Sequence, residues 1–96
     1  MDTAPSHVLV VDDDAGVRSL VTEYLTQNDF RVTAVGTGKE MMTVLASEAI
    51  DLVVLDLKLP GEDGLTLARR LRETSNISII MVTGRLEEAD RVMGLE

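Results

Sequence analysis

Val8-Leu9-Val10-Val11-Asp12-Asp13-Asp14 and Leu52-Val53-Val54-Leu55-Asp56 are the two stretches that decide the fold. Each is a short apolar run that ends in carboxylate. Runs of this kind, bounded by polar residues, are the pattern of strands buried on both faces of a parallel sheet. In open α/β sheets, ligands bind at the carboxyl ends of such strands. If the two strands are neighbours, at least three carboxylates converge on one small volume. The cluster would repel itself: two like charges about 4 Å apart cost about 4 kcal/mol at an effective dielectric near 20. A hard divalent cation with oxygen ligands, Mg2+ above all, answers that repulsion.

Outward from these runs, strand and helix patterns alternate. Residues 1–7 read as a loose polar leader. Val8 to Val11 is the first strand. Ala15 to Gln27 carries Val17, Leu20, Val21, Tyr24 and Leu25 at helical spacing, and Asp14 is placed to cap that helix. Asn28-Asp29 is a stop signal. Phe30 to Val35 alternates apolar and polar, a second strand with one wetter face. After the turn Gly36-Thr37-Gly38, Lys39 to Glu48 reads as a helix with Met41, Met42, Leu45 and Ala46 inward. Asp51 to Asp56 is the third strand, followed by the turn-rich Leu59-Pro60-Gly61-Glu62-Asp63-Gly64. Leu65 to Glu73 is a helix with Leu65, Ala68 and Leu71 inward and Arg69, Arg70 and Arg72 outward. Ile77 to Val82 is a fourth buried strand, and Arg85 to about Gly94 is a last helical pattern. The alternation with short connections predicts an α/β domain, a parallel sheet and right-handed crossovers.

Composition narrows the function. The chain has 96 residues, room for one domain. With 45% hydrophobic residues a packed core is expected rather than disorder. A net charge of −8 argues against non-specific binding of nucleic acid or anionic membrane, which needs a basic face. The absence of cysteine removes disulfides, thiolate metal sites and thiol nucleophiles, and fits a reducing cytoplasm. No apolar stretch approaches the length of a bilayer span. Tyr24 and Phe30 are the only aromatics, which leaves little for stacking on bases or sugars.

An isolated acidic triplet is ordinarily a solvated turn and helix cap. Two sets of acids at strand ends of one sheet favour a site instead. Asp12 and Asp13 can hold a cation, and Asp56 can act as a nucleophile, because carboxylates form aspartyl-phosphate intermediates. The fourth strand ends in Thr83-Gly84. The Thr83 hydroxyl can donate to an anion beside the cation, and Gly84 leaves the adjacent backbone N–H unshielded. Acceptor, cation and hydroxyl are most of a phosphoryl-transfer site.

The blocks VLVVDDD, LVVLDLKLPGEDGL and IIMVTG, in this order and spacing, closely resemble the receiver domain of bacterial two-component response regulators. The resemblance runs from Val8 to Glu96. It implies a flavodoxin-like, doubly wound parallel sheet, with strand order 2-1-3-4 for the units present here. By the same resemblance Asp56 is the phosphorylated aspartate. Asp12 and Asp13 are the metal acids, and with Asp56 and the backbone carbonyl of Lys58 they bind Mg2+. Thr83 is the switch hydroxyl, with Gly84 beside it. Lys58 and Arg85 flank the site. The phosphoryl donor is a phosphohistidine on a sensor histidine kinase or phosphotransfer protein, met by Arg18 and Thr22 on the solvent-facing side of the first helix.

The family pattern continues into a fifth strand and helix, with a lysine that pairs with the phosphoryl group. No lysine follows Lys58 here. Without that unit the fourth strand becomes a sheet edge, and Val17, Leu20 and Tyr24 lose cover. Self-association through the incomplete side is therefore expected. Two other readings stand beside the phosphoacceptor. One is a non-phosphorylated receiver-like module that binds or titrates a partner. The other is an α/β phosphohydrolase, which ordinarily needs a second aspartate where Lys58 stands. His7 reads as a solvated leader residue.

Overall fold

The computed structural model describes residues 5–59 and 61–82. The elements are β1 (His7–Val11), α1 (Ala15–Gln27), β2 (Arg31–Val35), α2 (Gly38–Ser47), β3 (Leu52–Asp56), α3 (Gly64–Thr74) and β4 (Ser78–Val82). Thr83, Gly84 and the helical pattern from Arg85 lie outside the described residues. The four strands form one parallel sheet in the order β2-β1-β3-β4, the doubly wound order that the receiver-domain resemblance implies. The chain first steps from β1 to β2, then returns past β1 to β3. With right-handed crossovers, that reversal puts α1 on one face of the sheet and α2 and α3 on the other.

The alternation of strand side chains fills both faces. On one, Leu9, Val11, Val53, Leu55 and Ile79 pack with Met41 of α2 and Leu67, Ala68 and Leu71 of α3. On the other, Val8 and Val10 are just as deeply buried. This is why both central strands read as continuous apolar runs rather than alternating ones. The α1 side is covered less. No residue of α1 is buried. Val21 and Leu25 are half-buried, whereas Val17, Leu20 and Tyr24 are 39%, 67% and 64% exposed.

Local chemistry sets the helix ends. Asp14 Oδ1 accepts from the Gly16 and Val17 amides at 2.8 and 3.1 Å, as its position predicted. At the far end of α1, Asp29 takes a left-handed φ of 69°. The Asp29 and Phe30 amides then donate back to Thr26 and Leu25 carbonyls, both at 3.1 Å, the paired bonds of a Schellman ending. Thr37 caps α2, its hydroxyl accepting from the Glu40 amide at 3.1 Å.

Two packing expectations are corrected. In α3 the inward apolar side is Leu67, Ala68 and Leu71, and Leu65 is exposed. Asp63 caps the helix, so it starts at Gly64. At about 100° per residue, Gly64, Leu67, Ala68 and Leu71 share one side and Leu65 falls a quarter-turn away. In α2, Ala46 is exposed while Val44 packs at the margin of the core. His7 also departs from its reading. It opens β1 and is only 3% exposed. Its Nε2 lies 2.7 Å from Thr33 Oγ1 on β2, and Nδ1 lies 3.9 Å from Glu48 Oε1. The His7 amide donates to Asp51 Oδ2 at 2.7 Å. Register supplies these partners, which is why a polar residue before an apolar run is buried.

Candidate metal centre

Register builds the site. Val11 pairs with Leu55, so the residue just after β1, Asp12, stands beside Asp56 at the end of β3. The Asp12 amide donates to the Val35 carbonyl of β2 at 3.0 Å, and the Leu57 amide donates to the Val82 carbonyl of β4 at 2.8 Å. Both strand ends are thereby held in the sheet on their outer sides. Carboxylate oxygens of Asp12, Asp13 and Asp56 lie within 4.8 Å of one another. Asp12 and Asp56 are 7% and 4% exposed, and Asp13 is exposed.

The two buried acids share a local geometry. Asp12 Oδ1 accepts from the Asp14 amide at 2.9 Å. Asp56 Oδ1 accepts from the Lys58 amide, also at 2.9 Å. These are two-residue side-chain turns of the kind Asp favours where a strand gives way to a loop. Among the described residues, neither Oδ2 has a hydrogen-bond partner. Burial pushes the Asp12 carboxyl above the usual carboxylate range. The Asp14 amide opposes this, and the charges of Asp56, Asp13 and Asp14 add to it. Asp56 is also pushed up, first by burial. The Lys58 amide and ammonium oppose the shift and Asp13 adds to it. Each site pays for desolvation without a countercharge deep enough to offset it. Three hard carboxylate oxygens, two of them taken out of water, are a donor set that fits a small divalent cation.

Arg18, which the sequence reading placed on the solvent-facing side of the first helix, touches this site's frame, as does Glu62, to which that reading gave no role. Arg18 is half-buried rather than solvent-facing. Its Nη1 donates to the Asp12 backbone carbonyl at 2.7 Å. It lies so close to Gly36 that a Cβ there would come within 3.1 Å. Thr22 is also half-buried and lines a shallow groove with Arg18. Glu62, in the loop after Asp56, reaches the first amide of α2. Gly36 and Gly38 were the available signals, since each leaves room for a side chain from elsewhere, but neither identifies which. Of the residues assigned from sequence, Asp12, Asp13 and Asp56 come together and Lys58 joins them through its amide. Thr83 and Gly84 lie outside the described residues.

A doubly wound sheet with buried acids at the carboxyl ends of its two central strands is the flavodoxin-like architecture furnished with an acidic pocket. A family profile described as the response regulator receiver domain matches residues 8–96, and the chain belongs to that family. It is 53% identical over 91 residues to the regulatory protein VirG of Agrobacterium fabrum, a match covering 94% of this chain and 36% of VirG. The chain thus spans little more than a third of that relative's length. Among solved structures it is similar to the receiver domain of TorR, the response regulator of the TMAO respiratory system. The TM-score is 0.81 at 37% identity, covering 91% of this chain and 72% of that one. It is also similar to the Thermotoga maritima response regulator TrrA in complex with Mg(2+)-BeF, with TM-score 0.79, 30% identity and coverage of 90% and 76%. A complex of the histidine kinase ThkA with TrrA contains a further match, with TM-score 0.78, 32% identity and coverage of 82% and 69%.

Proposed function

We propose that this chain is a Mg2+-dependent phosphoacceptor of two-component signal transduction, taking a phosphoryl group on Asp56 from a sensor histidine kinase or phosphotransfer protein. The observation that carries the reading is the buried Asp56 carboxylate beside Asp12 and Asp13. Asp12, Asp13, Asp56 and the Lys58 carbonyl would hold the cation, which supplies neutralisation of the phosphoryl oxygens when bound. Oδ1 of Asp56 accepts from the Lys58 amide while Oδ2 has no hydrogen-bond partner among the described residues, so the attack is assigned to Oδ2. An O–P bond forms, the N–P bond of the phosphohistidine breaks, and the leaving imidazole nitrogen keeps the electron pair and takes up a proton. The product is an acyl phosphate, and no metabolite is turned over.

The added charge of about −1.5 to −2 sits against two acids that already repel. The Thr83 hydroxyl, with the Gly84 amide beside it, is the group we assign to answer that charge, which biases a partner surface. The ThkA–TrrA complex supports a kinase as the partner, and such a donor supports a cytoplasmic location. No helix among the described residues is long and apolar enough to cross a membrane.

The test is intact-mass analysis after incubation with acetyl phosphate, with and without Mg2+, on the chain and its Asp56→Asn variant. One phosphoryl adduct that needs Mg2+ and disappears in the variant is expected. A folded chain with no adduct would favour the partner-titrating module instead. Self-association belongs to the same reading. The exposed Val17, Leu20 and Tyr24 on α1 offer a second copy an apolar surface of the kind that marks interfaces. Sedimentation at micromolar concentration should show dimers, and a clean monomer would remove this part of the proposal.

A further inference from the structure

The loop leaving Asp56 is anchored at a second point, far from its own helix. Glu62 Oε2 accepts a hydrogen bond from the Gly38 amide at 3.0 Å, across 24 residues of sequence. Gly38 opens α2, a helix of ten residues, and its amide is one of the donors a helix start leaves unpartnered. A carboxylate there is favoured by the helix dipole as well. Two neighbouring amides are capped locally. Thr37 Oγ1 takes the Glu40 amide, and Glu40 Oε1 takes the Gly36 amide at 2.9 Å. The Gly38 amide alone is served from the distant loop. The contact exists because residue 38 has no side chain: a Cβ would collide with Glu62 Oε1 and stand 2.7 Å from Leu67 Cδ1.

Glu62 also closes its own loop, its amide donating to the Leu59 carbonyl at 3.1 Å. Four residues upstream stands Lys58, whose amide holds Asp56 Oδ1. Immediately downstream Asp63 caps α3, accepting from the Leu65 amide at 3.0 Å. The loop is therefore fixed to the acid site at Lys58, to α2 at Glu62 and to α3 at Asp63.

We propose that Glu62 is a positioning residue for the acid site: bound to the start of α2, it sets the backbone of Lys58, both the amide on Asp56 and the carbonyl assigned to the cation. The proposal rests on the metal-binding part of the phosphoacceptor reading. A residue that only capped α2 would change the stability of the fold and leave metal affinity alone.

The experiment is calorimetric titration of Mg2+ into the chain and its Glu62→Ala, Glu62→Asp, Glu62→Gln and Gly38→Ala variants, with acetyl phosphate adduct formation followed in parallel. Glu62→Ala removes the acceptor, Glu62→Asp keeps the charge but is one methylene short, and Gly38→Ala puts a methyl group where the carboxylate sits. Each should weaken Mg2+ binding by about 10-fold, the range for groups that orient metal ligands. Glu62→Gln keeps an acceptor of the right length and should stay near wild type. Saturating Mg2+ should restore adduct formation in all of them. Equal Mg2+ affinity across the set, with lower melting temperatures for the alanine variants, would overturn the proposal and leave Glu62 a helix cap. A wild-type chain that binds no Mg2+ would overturn it as well. A wild-type chain that binds Mg2+ but takes no adduct would end the phosphoacceptor reading, and the same affinities would still decide the role of Glu62.

Discussion

Asp13→Asn should raise the melting temperature of the metal-free protein by several degrees and slow Mg2+-dependent phosphorylation of Asp56 by ~100-fold or more. The two effects have one origin. Without a cation, Asp13 is a like charge within 4.8 Å of two desolvated carboxylates, and it helps hold the Asp56 carboxyl above the ordinary range. Because Asp13 is exposed, water screens that repulsion, and its relief is worth about 1 kcal/mol rather than the several a dry pair would give. In a domain of about 100 residues that corresponds to roughly 4–8 °C. With Mg2+ the sign reverses, since the same oxygen becomes a ligand. Dependence on pH follows. Asp12 and Asp56 hold their protons more tightly in the fold than in the unfolded chain. The contribution of these two groups to the stability of the metal-free protein is therefore fully present below the ordinary carboxylate range and is lost as pH rises through the raised values. A bound cation needs the ionised acids, so the thermal shift caused by Mg2+ should grow over that same interval. At about 100 times its dissociation constant, the ion would add about 2.7 kcal/mol. Thermal melts of both proteins across pH, with and without Mg2+, check this. An Asp13→Asn variant that keeps the full Mg2+ shift would remove Asp13 from the site.

Gly64→Ala should lower the melting temperature by roughly 5–15 °C, an effect larger than its single methyl group suggests. Gly64 is buried at the first position of α3, where it packs on the chain leaving β3. A Cβ there would lie 2.6 Å from Leu57 Cα, 3.0 Å from the Asp56 carbonyl oxygen and 3.1 Å from Leu57 Cδ2. Two of the three atoms are backbone held in the sheet by the Leu57–Val82 hydrogen bond, so relief requires the helix or the strand end to move. Such overpacking costs about 1–3 kcal/mol. Alanine in place of glycine would return up to about 1 kcal/mol of backbone entropy where the conformation allows it, and the steric term outweighs it. Because the displaced atoms carry Asp56 itself, adduct formation should also slow at temperatures where the variant is fully folded. Chemical denaturation and adduct kinetics at low temperature separate the two consequences, and unchanged stability would show that α3 can retreat freely.

The element order was legible because the period of hydrophobicity changes cleanly along this chain. Val8 to Val11 and Leu52 to Leu55 are continuous apolar runs, as strands covered on both faces must be. The α1 boundaries were readable because Asp14 is a cap residue and Asn28-Asp29 a terminator that tolerates left-handed backbone. The Asp12, Asp13 and Asp56 cluster was readable for a related reason: acids that directly follow buried strands have their positions fixed by those strands. Leu65 was misplaced because one residue at a helix start rotates the whole apolar side by about 100°. His7 was misjudged because its partner, Thr33, is distant in sequence. Arg18 was misjudged because its guanidinium folds back onto the Asp12 carbonyl before the helix. The Glu62 contact with the Gly38 amide, 24 residues away, left no local signal.

By itself, then, the sequence determined the parallel α/β architecture, the residues that start and stop its first helix, and the acids that end its central strands. These depend on side-chain type and local spacing, which act over a few residues. Only the tertiary structure decided that Val11 lies opposite Leu55, so that Asp12 stands beside Asp56. It alone decided that the space left by Gly38 is filled by Glu62 and the space beside Gly36 by Arg18. Register and close approach are properties of pairs brought together by the crossovers, and a glycine records that something approaches without recording what.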